Sequence, residues 1–132
     1  MSSTIVDELK KATAGLLYPS ESDEPFEAFL WENGGGSLTT QHFLDLSGHK
    51  PADGVEEVKL DDFFSELTAD QDWYGEAERE TAEGYRRLLR TLENQLSDLR
   101  VFRVGKVNKD IYIVGRTSSG GWAGIRTKAV ET

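Results

Sequence analysis

YRRLLRTLENQLSDLRVFRVGKVNKDIYIV, residues 85–114, decides the fold, because the hydrophobic period changes inside it. Tyr85, Leu88, Leu89, Leu92, Leu96 and Leu99 recur at spacings of three and four, which makes one stripe of an α-helix. The spacing predicts that helix over residues 72–99. Acids crowd its start (Asp70, Asp72, Glu76, Glu78, Glu80) and bases follow (Arg86, Arg87, Arg90), an order that suits the helix dipole. Many of the charges are explained by that order with no function attached. Beyond the stripe, residues 101–104 and 110–114 flank a short turn and read as a β-hairpin. Residues 116–121 read as a loop, and 122–130 as a last strand that reaches almost to the C-terminus.

Upstream, Thr4 is placed to cap a helix over 5–15, with Asp7 at the capping-box position. Ile5, Val6, Leu9 and Ala12 share its face, and Gly15 supplies the stop. Residues 26–32 alternate partly and are rich in aromatics, as a strand is. The run 33–37, NGGGS, is a flexible break. Thr39 caps a short helix, TQHFLDLS, that ends at Gly48. A turn at 50–54 leads to a weak strand at 55–60, and Asp61 or Asp62 opens a helix carrying Phe63, Phe64 and Leu67. The order predicts an α/β (α+β) fold, with helices packed on a mixed, largely antiparallel sheet of four or five strands. A length of 132 residues suggests one domain over 1–132.

Composition narrows the function. There is no cysteine, so disulfides and thiolate chemistry are excluded. The N-terminus reads as an amphipathic helix, not a signal peptide, and no run approaches 18 apolar residues. A cytoplasmic protein without a membrane partner is expected. Formal net charge is −9. Residues 1–83 hold 5 bases and 20 acids, whereas 84–132 hold 10 bases and 4 acids. Such a chain repels nucleic acid at long range, since that binding runs through phosphate neutralisation by Lys and Arg. A basic protein would be steered in.

Catalytic constellations are scarce. His42 and His49 have no His or Cys at metal-ligand spacing, and both read as structural or exposed. Gly115-x-x-x-x-Gly120-Gly121 lacks the Lys-Ser/Thr pair of a phosphate loop and precedes a strand, so it reads as a plain turn. No intrinsic metal or other cofactor is expected. Three features stand out instead. In LLYPSESDEPFEAFLWE, residues 16–32, four carboxylates (Glu21, Asp23, Glu24, Glu27) fall within seven residues with no base among them. Leu16, Leu17 and Tyr18 before them and Phe29, Leu30 and Trp31 after them suggest buried flanks, hence an anchored loop. Trp73, beside Tyr74, opens the long helix and is the residue type favoured as an interface anchor. A strand running to residue 130 would hold the terminal carboxylate of Thr132 in place. Trp31 reads as core, and Trp122 reads either way.

Leu16-Leu17 with Ser20-Glu21-Ser22, Pro25-Phe26-Glu27, Phe29-Leu30-Trp31-Glu32, Ser47-Gly48-His49, Phe63-Phe64, Gln71-Asp72-Trp73-Tyr74 and, at the end, Asp110-Ile-Tyr-Ile-Val-Gly115, Ala123-Gly124-Ile125, Thr127-Lys128 and Val130-Glu131-Thr132 recur in one order. Together they resemble the nuclease A inhibitor family along nearly the whole chain. The resemblance implies an α/β/α sandwich and an inhibitor of a sugar-nonspecific DNA/RNA endonuclease, whose ββα-metal active site uses one Mg²⁺. It implies a nuclease-binding set made of Glu21, Trp73 and Thr132, with Ser20, Asp23 and Glu24 on the same loop. The Glu21 and Thr132 carboxylates would approach the partner's Mg²⁺ in a one-to-one complex with a monomer. The chain departs from the family in Gly34, Gly35 and Gly36 and in Trp122, which leaves partner choice open. Two rival readings stand beside it. One is a metal-dependent hydrolase, which requires a pocket joining the acids to a histidine. The other is an acidic interaction module for a different basic partner.

Overall fold

The computed structural model describes residues 3–18, 24–31, 39–50, 53–68, 75–106, 108–118 and 120–130. Among them the elements run α1 (Ser3–Thr13), β1 (Leu17–Tyr18), β2 (Glu24–Pro25), β3 (Glu27–Trp31), α2 (Thr40–Ser47), β4 (Val55–Val58), α3 (Leu60–Thr68), α4 (Glu76–Gln95), β5 (Ser97–Val104), β6 (Asn108–Arg116) and β7 (Trp122–Val130). Strands β3, β7, β6, β5 and β4 lie side by side in that order, and β1 pairs with β2 separately. Every neighbouring pair in the five-stranded sheet is antiparallel, which corrects the expectation of a mixed sheet. For β5, β6 and β7 the reason lies in the connections: they follow one another through short turns, and a parallel neighbour needs a long crossover.

The period of two sends alternate side chains to opposite faces of the sheet. On one face Val101, Ile111, Ile113, Ala123, Ile125 and Ala129 meet Leu9 of α1, Phe63 and Phe64 of α3, and Tyr85, Leu88 and Leu92 of α4. On the other, Phe102, Val104, Tyr112, Val114 and Trp122 meet Phe43 and Leu44 of α2. Among the described residues, three helices on one side and one on the other make the α/β/α sandwich. Trp122 is fully buried, so it belongs to the core. Trp31 is half-buried and packs against the same aromatic layer, its ring 4.4 Å from that of Phe29.

Helix α2 has the predicted bounds because both ends are written in single residues. Thr39 Oγ1 accepts from the His42 amide at 3.1 Å. Gly48 adopts φ 81°, and its amide donates to Leu44 O at 3.0 Å. Helix α4 is shorter than predicted. It starts at Glu76, and the Gly75 amide donates to Glu78 Oε2 at 3.1 Å. It stops at Gln95, because Leu96 is extended and Asp98 adopts φ 52°. Leu99 therefore reaches the core from β5, beside a β-bulge between Ser97 and Arg100, and not from the helix. Asp72 lies outside the described residues. Three smaller corrections follow. Thr4 lies inside α1, which begins at Ser3, and so does not cap it. The strand at 55–60 ends at Val58, since Leu60 already starts α3. Arg116 belongs to β6, not to the loop after it.

Phe43 ties α2 to the sheet. Its ring stacks on Phe102 at 4.1 Å and meets Tyr112 edge-on at 5.0 Å. Phe43→Ala is expected to lower unfolding free energy by about 3–5 kcal/mol in urea titration. A loss below about 1 kcal/mol would mean that α2 is not held through this ring.

Candidate functional site

Of the six residues singled out for partner binding, Glu24 is described. Ser20, Glu21, Asp23, Trp73 and Thr132 lie outside the described residues. Their anchors are described. Tyr18 and Glu24 bracket 19–23, Thr68 and Gly75 bracket 69–74, and Val130 precedes the last two residues.

The base of the acidic loop is tied to β7, α3 and α4. Leu17 pairs with Pro25 and Tyr18 with Glu24, so β1 and β2 close the base of the acidic loop. Strand β3 pairs with β7 only from Trp31–Trp122 to Glu27–Arg126. Just beyond that point, Thr127 Oγ1 lies 2.9 Å from Pro25 O and 3.3 Å from Glu24 O, so its hydroxyl donates to the loop's base. The Tyr85 hydroxyl donates to Leu17 O from α4. The Tyr18 ring stacks on Phe63 of α3 at 5.6 Å, and Arg103 Nη2 lies 3.4 Å from its hydroxyl. Leu67 near the end of α3 lines the same cleft as Tyr18, a space of about 400 Å³. The carbonyl of Thr68 accepts from Arg86 Nε at 3.0 Å and Nη2 at 2.6 Å. The expectation of buried flanks holds for Leu16 and Tyr18, while Leu17 is 49 % exposed. Alternation in a two-residue strand turns one side chain out.

A second feature was missed in the sequence. A cleft of about 520 Å³ is lined by Glu24, Glu27, His49, Asp110, Tyr112 and Arg126, among others. His49 Nε2 lies 2.9 Å from the Tyr112 hydroxyl and 3.5 Å from Asp110 Oδ2, and its Nδ1 lies 3.6 Å from Asp53 Oδ2. Arg126 Nη2 and Nε each lie 3.2 Å from Glu27 Oε2. His49 is thus neither an isolated core residue nor a bare surface group. A pocket joining acids to a histidine is what the hydrolase reading required. Among the described residues, however, no group of three His, Cys, Asp or Glu side chains can hold a metal. Burial, and next the charge of Asp110, push the Tyr112 phenol above its usual value of 10.0, while Arg126 pulls it down.

The glycine run after β6 is a plain turn, as predicted. The Thr117 amide donates to Gly121 O at 2.9 Å, and the Gly121 amide donates to Thr117 Oγ1 at 3.0 Å. Gly115 is small for packing: a Cβ there would come within 2.8 Å of Leu96 and Leu99. The Trp122 ring is covered by the Arg116 guanidinium at 4.7 Å. Because Trp122 is buried, it can bear on partner choice only through packing. The loop holding Gly34, Gly35 and Gly36 lies outside the described residues.

Thr127→Val keeps the shape and removes the hydroxyl. It is expected to cost about 1 kcal/mol and to speed amide exchange at Tyr18 and Glu24. Unchanged exchange would show that the loop's base is held by other contacts. In an alkaline titration followed by tyrosine absorbance, the Tyr112 phenol should ionise above the ordinary range, and Tyr112→Phe should remove that step. A raised folded-state value means that this contribution to stability is complete below about pH 10 and is lost as pH rises through the folded-state value. Ionisation of all four tyrosines together near pH 10 would contradict the burial of Tyr112.

No helix among the described residues is long and apolar enough to cross a membrane. No curated protein matches the chain. The family model described as nuclease A inhibitor-like protein matches residues 3–132. That match takes in residues 19–23, 69–74 and 131–132 and nearly all of the chain, and the protein belongs to the nuclease A inhibitor-like family.

Proposed function

We propose that this protein inhibits a sugar-nonspecific DNA/RNA endonuclease of the ββα-metal type by filling its active-site cleft. The observation that carries the reading is the contact between the elements that flank these segments: Thr127 ties the base of the acidic loop to the strand that precedes Thr132, and Leu67, near the end of the helix that precedes Trp73, lines one cleft with Tyr18. Family membership supplies the class of partner.

The physics is that of a phosphate mimic. A nuclease cleft is positive because it holds a phosphate backbone. Carboxylates on an anchored loop enter it with little further loss of conformational freedom. Oxygens of Glu21 and of the terminal carboxylate of Thr132 at the nuclease's Mg²⁺ would deny it a substrate phosphate. Ser20, Asp23 and Glu24 add polar contacts around them, and Trp73 supplies buried apolar area. Distributed negative charge raises the association rate, while the desolvated contacts slow release. In this reading residues 1–132 form one domain that acts as a cytoplasmic monomer in a one-to-one complex. It is not an enzyme, uses no cofactor of its own and does not touch nucleic acid.

Dissociation kinetics from a purified nuclease of this type test the assignment. Glu21→Ala and Trp73→Ala should each speed dissociation by roughly 30-fold, the effect of a hot-spot residue worth about 2 kcal/mol. Two residues appended after Thr132 should do the same if its carboxylate is used. Variants that bind as tightly as the parent would remove those residues from the interface. Failure of the parent itself to bind would leave an acidic module for another basic partner.

A further inference from the structure

Helix α2 is too short for the face it covers. Its 8 residues span about 12 Å, whereas the 9 residues of β7 span about 30 Å. The helix covers the end of the sheet that holds Trp122 and Phe102 and stops at Gly48. Beyond it His49 caps Tyr112, their rings meeting edge-on at 5.6 Å. The rest of this face carries polar groups in register. Tyr112 faces Arg126, which faces Glu27, and Asp110 faces Lys128. These groups line the 520 Å³ cleft, and Glu24 at the base of the acidic loop lines it too.

We infer that this half-face, which no helix among the described residues covers, is a second docking subsite, a socket that takes one arginine or lysine side chain of the partner protein. Charge selects the occupant. Three carboxylates, Glu24, Glu27 and Asp110, face two cations, Arg126 and Lys128. Glu27 is taken by Arg126 through both Nε and Nη2. Among the described residues that line the cleft, carboxylates outnumber Lys and Arg by one, and a single incoming cation balances them. The Tyr112 hydroxyl and the His49 ring, 2.9 Å apart, line the same cleft with polar groups. Continuity fixes where the partner comes from: Glu24 belongs both to this cleft and to the loop assigned to the nuclease. The identity of the partner, though not the socket, rests on the inhibitor reading.

Two measurements on the full chain separate the socket from that reading. The first is an NMR titration with N-acetyl-arginine amide, followed at the His49 and Tyr112 ring signals. A saturable shift at millimolar ligand is expected. It should weaken at least five-fold in Asp110→Asn and in Glu24→Gln, and be absent with uncharged N-acetyl-norleucine amide. No shift, an equal shift with the uncharged probe, or a shift untouched by both variants would overturn the socket. The second is the dissociation rate from the nuclease. Asp110→Asn should raise it about ten-fold, and Glu93→Gln on the exposed side of α4 should leave it unchanged. An Asp110→Asn rate equal to that of the parent would overturn the socket's part in the complex. A probe-dependent shift in a protein that binds no nuclease would uphold the socket and reject the nuclease.

Discussion

Strand β7 is the member on which the rest depends. It is hydrogen-bonded to β6 along its whole length and to β3 along its first half. Its side chains build both layers at once, Trp122 against α2 and Ile125 and Ala129 against the three-helix side. Beyond Arg126 the neighbour strand leaves, and the hydroxyl of Thr127 takes over by holding Glu24 and Pro25. One continuous strand therefore runs from the core to the proposed binding end. A central strand of a sheet opens only with the whole fold.

Folding also rearranges the charge. The sequence divides into an acidic first part and a basic second part, yet the sheet brings them together. Arg126 of β7 meets Glu27 of β3. Arg100 of β5 meets Glu57 of β4 at 3.4 Å. Each such exposed pair contributes little to stability, about 0–1 kcal/mol. The Arg126 pair takes up Glu27, one of the four carboxylates between residues 21 and 27, while the formal net charge of the chain stays at −9.

Local signals were legible and distant ones were not. The bounds of α2 follow from Thr39 and Gly48, and β7 from the turn residues before Trp122 and an apolar alternation within. Leu99 fits the helical spacing by coincidence, because the strand continues it, and the extended Leu96 and the φ 52° at Asp98 break the helix before it. Strands β1 and β2 hold two residues each, too few to show a period. The antiparallel sheet was half visible in the hairpin, while the placement of β3 and β4 at its edges depends on contacts across the whole chain. The cleft at His49 was invisible for the same reason: His49 and Tyr112 are 63 residues apart. Spacing could suggest an acidic loop, but not that its base is bonded to a strand about a hundred residues later.

The most direct test is a titration of a purified ββα-metal nonspecific nuclease with this protein in Mg²⁺, at low and at high salt. Binding of carboxylates in the positive cleft predicts complete loss of activity at one equivalent. It also predicts slower association at high salt, because exposed charges more than about 10 Å apart are screened there. Full activity in the presence of several equivalents, at either salt concentration, would contradict it.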